Sequence, residues 1–503
     1  MQFITSESLF SRLGVALASG VVLLAVVLGC SDDFLTRTPP SSLSTATFYQ
    51  TEEDAVSAIN AVYATMQKNP LYGRNYDKVT IVPSDDAKIH NTVGASFENH
   101  SFNPAAPQIM DVFSGLYEGV FRANLVLQEV PEIDMSEDKK RRILGEARFL
   151  RAFYYWHLGA NYGDVPLIEE AYPNNPEKAQ KPKDDVGQIY DFAISDLQQA
   201  VDALPSSYGS SNVGRATSGA ARALLGKVHL YDENYEEAES PLRDVIDSDE
   251  YELVPSHKEM FETDNNKEYI FEIQYKDTGG SVWGSQDSPN LNEGHLRARL
   301  NLPEGGGGFG NIPPTQDIVD AFEEGDPRLD YAVWMEGDDY GEPGQFNESG
   351  KYNPEWSPTG FSLRKGLTPL QPFDADISTN YPLIRLADVL LMYAEAANEN
   401  SNQGAAISAI NRVRARSDMP TYPDDEAPYS VSSSSSQEEV FEAIVHERRV
   451  ELAFENHRYL DLKRWGLAEE KLGRLGFQPK HRFLPLPQQE VDTNQELEQN
   501  PDW

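Results

Sequence analysis

A single cysteine in 503 residues limits how this chain can be held together. With Cys30 as its only thiol it forms no internal disulfide, so its fold must rest on packing and electrostatics. The position of that cysteine is equally informative. It closes the apolar run from Leu13 to Leu28, which has the length of a signal-peptide core and is short for a membrane-spanning helix. Gly29 places a small residue directly before it, as lipoprotein processing requires. Residues 1–29 therefore read as a lipoprotein signal peptide, with Cys30 as the lipid-modified first residue of the mature chain. Bulky Leu28 beside the cut, and Glu7 offsetting Arg12 ahead of the apolar run, are atypical of such a signal.

No second long apolar run follows, so the expectation is a water-exposed body attached only by lipid. A cysteine carrying more than one acyl chain anchors stably. Apolar residues make up 39% of the chain, enough for a substantial core, and the net charge is −39. Such a surface repels nucleic acid and anionic lipid, which excludes phosphate-binding roles. It also suits a high-salt setting, where a short screening length blunts self-repulsion. A halophilic source is the expectation from charge alone.

Helical periodicity dominates both ends. Thr51-Glu-Glu-Asp54 reads as a cap, followed by Ala55, Ala58, Ile59, Val62 and Met66 on one face. Ser136 opens a helix through Tyr154, Asp185 one to Ala203, and Thr217 one to Tyr231. A turn then leads into Tyr235 and a helix ending near Ile246. This pattern resembles a tetratricopeptide repeat, in which helix pairs stack on one another. Helices resume at Arg385–Asn398, Ala405–Arg416 and Gln437–Asn456, and the serines from Ser432 read as a flexible connector. Between Tyr251 and Asn380 glycine, proline and aromatics rise and helical periodicity fades, while Tyr269–Tyr275 alternates like a strand. Loops carried on a rigid scaffold are where binding usually sits.

Catalytic motifs do not survive inspection. Gly305-x-Gly307-x-x-Gly310 imitates a dinucleotide fingerprint, but no strand pattern precedes it and Pro313-Pro314 blocks the required helix. There is no esterase elbow, no His-Glu-x-x-His and no Cys-x-x-Cys, and the nine histidines are scattered. Asp338-Asp339 and Asp374-x-Asp376 lack the spacing of a calcium loop. No catalytic residue, metal ligand or cofactor is expected. A glycosidase needs only two well-placed carboxylates, which sequence does not exclude in so acidic a chain.

Motifs spread over nearly the whole chain carry a resemblance. They include Cys30 with Phe34-Leu35, Tyr117 with Arg122-Ala-Asn124, Gly145 to Ala152, and Tyr162-Gly-Asp-Val-Pro166. Gly325-Asp-Pro-Arg328, Arg385 to Ala396, Glu447-Arg448, Asp461 to Trp465 and Gln499-Asn-Pro501 continue it. Together they resemble the SusD/RagB family of lipoproteins, and Ser31-Asp-Asp resembles the acidic tag that sends lipoproteins to the outer cell surface in Bacteroidetes-type bacteria. The resemblance implies a mostly α-helical fold with tetratricopeptide-like helix pairs and no catalytic activity. It implies a glycan or oligopeptide nutrient bound at the surface of the outer membrane, and a partner, a SusC-like TonB-dependent transporter. On it the chain divides into residues 30–250 (N-terminal helical), 251–380 (loop-rich, with minor β and the candidate ligand region) and 381–503 (C-terminal helical). A surface glycoside hydrolase and a protein-binding scaffold are the alternatives.

Arg385, Asp388, Glu395, Glu447, Arg448, Glu451, Arg458, Asp461 and Arg464 imitate a catalytic cluster, yet their helical spacing suits buried ion pairs. Trp283, Trp334 and Trp356, with Tyr352 nearby, lie in the loop-rich segment, where rings suit the C–H faces of sugars. The resemblance adds Tyr72, Asn75 and Tyr76, near the loop after the first helix, as ligand contacts. No tryptophan lies between Tyr76 and Gln108, which argues against a starch-like aromatic arc.

Overall fold

Capping chemistry starts the helices where the sequence places it. In α1 (Glu52–Gln67) the Thr51 hydroxyl accepts the Asp54 N–H while the Asp54 carboxylate accepts the Thr51 N–H. Asp185 and Gln188 do the same for α4 (Val186–Ala203), and Thr217 caps α5 (Ser218–Tyr231). Among the residues described by this computed structural model (48–90, 94–276, 294–367, 379–424, 427 and 429–503), nine helices have twelve or more residues. The others are α2 (Pro107–Glu129), α3 (Glu137–Tyr162), α6 (Tyr235–Ile246), α7 (Leu386–Glu399), α8 (Gln403–Arg416) and α9 (Gln437–Glu451).

From α1 to α8 each helix packs on its predecessor, and α9 closes over α7 and α8. Residues Thr51–Trp503 form one compact unit. Among the described residues no helix is long and apolar enough to cross a membrane.

Sheet structure is minor, as expected of a mostly α fold. β1 (Tyr269–Ile273) pairs antiparallel with β4 (Tyr381–Arg385), and β2 (Val333–Trp334) with β3 (Ser362–Leu363). β1 is shorter than its alternating pattern suggested and is buried along its whole length, Phe271 against Tyr63 and Phe149 of the helices and Tyr269 against Met260 and Phe261. Among its described residues, the segment in which helical periodicity fades contains four short α-helices, His257–Glu262, Arg297–Asn301, Gln316–Val319 and Pro327–Ala332, too brief to show a period. α2 went unread because Gly115 and Gly119 interrupt its apolar stripe; a Cβ at Gly119 would lie 2.3 Å from the Tyr154 ring. The serine run ends as structure: Ser436 forms a capping box with Glu439 at the start of α9. α9 itself stops at Glu451 rather than reaching Asn456, since Phe454 and Asn456 adopt positive φ and turn Glu455 toward Arg385.

Many buried charged groups are paired in dense networks. In the N-terminal half Arg151 forms a bidentate pair with Asp196 at 2.7 and 2.8 Å, and the Tyr154 hydroxyl donates to Val62 O of α1. In the C-terminal half Arg385 bonds Glu268 (2.9 Å), Glu451 (2.6 Å) and Glu455 (2.8 Å). Glu451 also receives Arg416 and Arg328. Burial alone would raise the Glu451 carboxyl, but Arg416 and Arg385 outweigh it and hold it well below the usual carboxylate range. Arg448 joins Asp388 of α7 to Asp461, and Arg464 joins Asp461 to Glu395. Arg458 instead forms a bidentate pair with Asp85. The apparent catalytic cluster is therefore the framework joining the last helices. Tyr154, Tyr155 and Trp156 lie in the core as expected, and Trp503 stacks on Phe102 with ring centres 5.2 Å apart.

Candidate functional site

Three stretches far apart in sequence meet at one surface. The first is the loop after α1, where 86–90 runs antiparallel to 311–315 through Lys88 N–H to Pro313 O (2.9 Å) and His90 N–H to Asn311 O (3.1 Å). The second is the glycine turn from Glu304 to Gly310. The third is an aromatic cluster between β2 and β3, built on a hairpin in which Tyr340 N–H donates to Gly350 O and Tyr352 N–H to Asp338 O.

The rings of that cluster meet edge to face. Trp334 and Tyr340 are 4.8 Å apart between centres, Tyr340 and Trp356 5.3 Å, and Tyr352 and Trp356 5.8 Å. The glycine turn lies directly against them. A Cβ on Gly305 would fall 2.1 Å from the Trp356 indole, and one on Gly306 2.2 Å from the Tyr340 hydroxyl, which donates to Gly306 O at 3.0 Å. The run is thus a backbone seat for aromatics. A short helix, Arg297–Asn301, precedes it instead of the strand a dinucleotide site requires.

Exposure sorts the sequence candidates. Trp356 is half-buried and keeps part of its ring at the surface. Trp334 is 2% exposed and Tyr352 3%, the latter hydrogen-bonded to Ser362 Oγ; Tyr352 meets the Trp356 ring directly, Trp334 only through Tyr340, and neither offers a sugar an open face. Tyr72 and Tyr76 are buried with their hydroxyls on the two ring nitrogens of His157, at 2.9 and 2.7 Å. Asn75 is buried and donates to Asp111. In this conformation these three brace the interior, and the loop beyond them at 86–90 is what reaches the site. Trp283 and Cys30 lie outside the described residues.

Four residues at the site were missed by the sequence reading: Phe309, Arg299, His90 and Glu304. Phe309 is 41% exposed, with the Arg299 guanidinium 5.1 Å from its ring centre. His90 approaches Glu304 at 3.4 Å, joining the loop after α1 to the glycine turn. The signal for Phe309 was available, since an aromatic that follows four glycines has no helix to be buried in.

Two mooring points fix this surface. Arg328 ends the chain's approach to β2 and bonds Glu447 and Glu451 of α9 (Glu447 at 2.5 Å), while Lys365 just after β3 bonds Glu455 at 2.7 Å. Asp85 and Asp86, at the start of the 86–90 ladder, hold Arg458 and Arg449. Asp338 accepts the Met335 N–H and Asp339 pairs with Lys351; Asp374 and Asp376 lie outside the described residues. Among the described residues no group of three acidic, His or Cys side chains is arranged to hold a metal.

The sequence model of the SusD family matches residues 267–503, and one described as "Starch-binding associating with outer membrane" matches 33–230. SusD-like protein P2 of Formosa agariphila is 28% identical over 95% of this chain and 98% of its own. Among solved structures, a SusD superfamily protein from Bacteroides vulgatus is 26% identical, covers 91% of this chain and all of its own, and superposes with a TM-score of 0.77. One named as a laminarin-binding SusD-like protein is 29% identical, covers 90% of this chain and all of its own, and reaches 0.76. Two family models in tandem, relatives aligned from end to end and the same helical architecture agree: the chain belongs to the SusD-like family.

Proposed function

We propose that this protein captures a neutral glycan at the surface formed by Trp356, Phe309 and the glycine turn, and holds it without altering it. The observation that carries this is a half-buried indole braced by the buried rings of Tyr340 and Tyr352 and seated on a glycine turn that also carries the exposed Phe309, a preorganised apolar surface for the C–H side of pyranose rings. Glu304 and Glu355 are exposed at its rim and the whole chain is strongly acidic, so uncharged polysaccharides are favoured over polyanions. A laminarin-type glucan is the first probe, because one similar structure carries that ligand in its name.

Trp356→Ala is the test. Loss of a stacking aromatic at a binding hot spot costs about 2 kcal/mol or more, roughly a thirtyfold rise in dissociation constant. Calorimetric titration of the purified protein against a panel of neutral polysaccharides should show that rise, with the thermal transition nearly unchanged. Unaltered binding by Trp356→Ala would move the site elsewhere. Release of reducing sugar by pure protein, abolished by changing one Asp or Glu, would make it a hydrolase.

The same reading places the protein on the outer membrane, anchored through Cys30 and delivering its glycan to a SusC-like TonB-dependent transporter. Cys30→Ala is expected to abolish labelling by a fatty-acid probe and partitioning with membranes; persistent labelling would refute the anchor. Co-purification of a barrel protein with the lipidated form tests the partner.

A further inference from the structure

A small cavity of about 10 Å³ lies where the turn after α1 meets the short helix Arg297–Asn301 and residues 311–312 of the ladder. That is room for one particle of about the size of a water molecule. Its walls carry more positive than negative charge. Arg74, Lys78 and Arg297 line it, with Asp77 as the one lining carboxylate, and Asp111 of α2 stands close enough to feel both Lys78 and Arg74. Arg297 and Asp77 satisfy each other at 3.2 Å, and Asp111 accepts the Asn75 amide at 2.8 Å. Arg74 and Lys78 are left over. Among the described residues the Arg74 guanidinium makes no ion pair or hydrogen bond, and the Lys78 ammonium, 3% exposed, holds only Asn75 Oδ1 at 3.3 Å. Asn301, also on the cavity wall and 4% exposed, makes no side-chain hydrogen bond among the described residues, and its amide keeps some accessible surface.

With 81 acidic side chains to 42 basic ones, this chain has ample carboxylates to pair its bases, yet these two neighbours have none in contact. A buried charge without a counter-charge is costly. Burial, with Arg74 adding to it, lowers the Lys78 ammonium to about 8 against the opposing pull of Asp111 and Asp77. We propose that this cavity is a halide site, in which one chloride ion is held by the Lys78 ammonium, the Arg74 guanidinium and the Asn301 amide N–H. Size selects a monatomic ion, since a carboxylate, sulfate or phosphate group exceeds the space. Three cations facing two carboxylates select an anion over a cation. A water molecule would serve the donors and leave the excess charge standing. Bound there, chloride ties the turn after α1 to the helix that leads into the glycine turn. The proposal does not depend on what the neighbouring surface binds.

Melting curves in sodium chloride and in sodium gluconate at equal ionic strength test this, with bromide as the crystallographic probe. Chloride should raise the melting temperature of wild type saturably, by about 3 °C at a hundred times its dissociation constant. Lys78→Met, which keeps the length of the side chain and removes its charge, should flatten that response, and so should Asn301→Leu. In gluconate Lys78→Met should melt no lower than wild type, because the charge it removes is then uncompensated. Wild-type crystals soaked in sodium bromide should show an anomalous peak between Lys78, Arg74 and Asn301, a result that stands even if a variant does not fold. A chloride response equal in wild type and both variants is a general salt effect and overturns the site. Water density with no bromide peak in the cavity overturns it as well. So does a bromide peak without any chloride-dependent shift in melting, which marks an adventitious ion only.

Discussion

Arg385→Leu is expected to destabilise the fold by about 3–5 kcal/mol, the cost of removing one partner from a buried ionic network. The arginine is 1% exposed and meets Glu268, Glu451 and Glu455 at once, so its loss strands carboxylates that water does not reach. Chemical denaturation should show an earlier midpoint with little change in slope. An unchanged midpoint would mean that Arg416 and Lys365 suffice to neutralise the cluster. Lys351→Ala, which breaks only the exposed pair with Asp339, is the control and should leave the midpoint where it was. The network also sets an acid limit. Against the cost of burial, Arg385 and Lys365 hold the Glu455 carboxyl at about 2, below its ordinary value near 4.5. A carboxylate depressed on folding stabilises above its unfolded value, and that contribution fades as pH falls from about 4.5 and is gone below about 2.

Trp334→Ala is expected to cost about 3–5 kcal/mol of stability, as truncation of a buried tryptophan does. At 2% exposure the ring supports Tyr340 on one side and lies 5.6 Å from the Arg364 guanidinium on the other. Glycan affinity should fall as well, but through loosening of Tyr340, against which Trp356 packs, so the melting temperature and the association constant drop together. Trp356→Ala should separate the two quantities. A Trp334→Ala protein that melts normally and fails to bind would instead put Trp334 itself on the ligand.

Much of the helical framework was legible because its signals are local. Thr51, Asp185 and Thr217 announce their helices through cap chemistry that needs no tertiary context. Helical spacing in Arg385–Ala396 and Glu447–Glu451 likewise marked ion pairs rather than catalysis, and the pairs are there. What sequence did not disclose was which aromatics would be covered. Trp334 and Trp356 occupy similar loop contexts, and their different exposure arises from the hairpin 338–352 and from Gly305 and Gly306 lying against the rings. The burial of Tyr72 and Tyr76 was hidden from the sequence for a related reason. His157, 81 and 85 residues away, satisfies both hydroxyls, and no local pattern reveals that. His90 reaches Glu304 of the glycine turn only because 86–90 pairs with 311–315, a long-range register.

The two basic residues that bracket β2 and β3 have a consequence for how such a protein diversifies. Arg328 and Lys365 attach to the Glu447–Glu455 stretch from outside the hairpin, so everything between Met335 and Phe361 hangs from the framework like an interchangeable cassette. Insertions, deletions or wholesale replacement there leave the attachment untouched. A lineage could therefore change the sugar it recognises without rebuilding the protein that carries it. An engineer could do the same, by grafting a foreign hairpin between two residues whose partners are already in place.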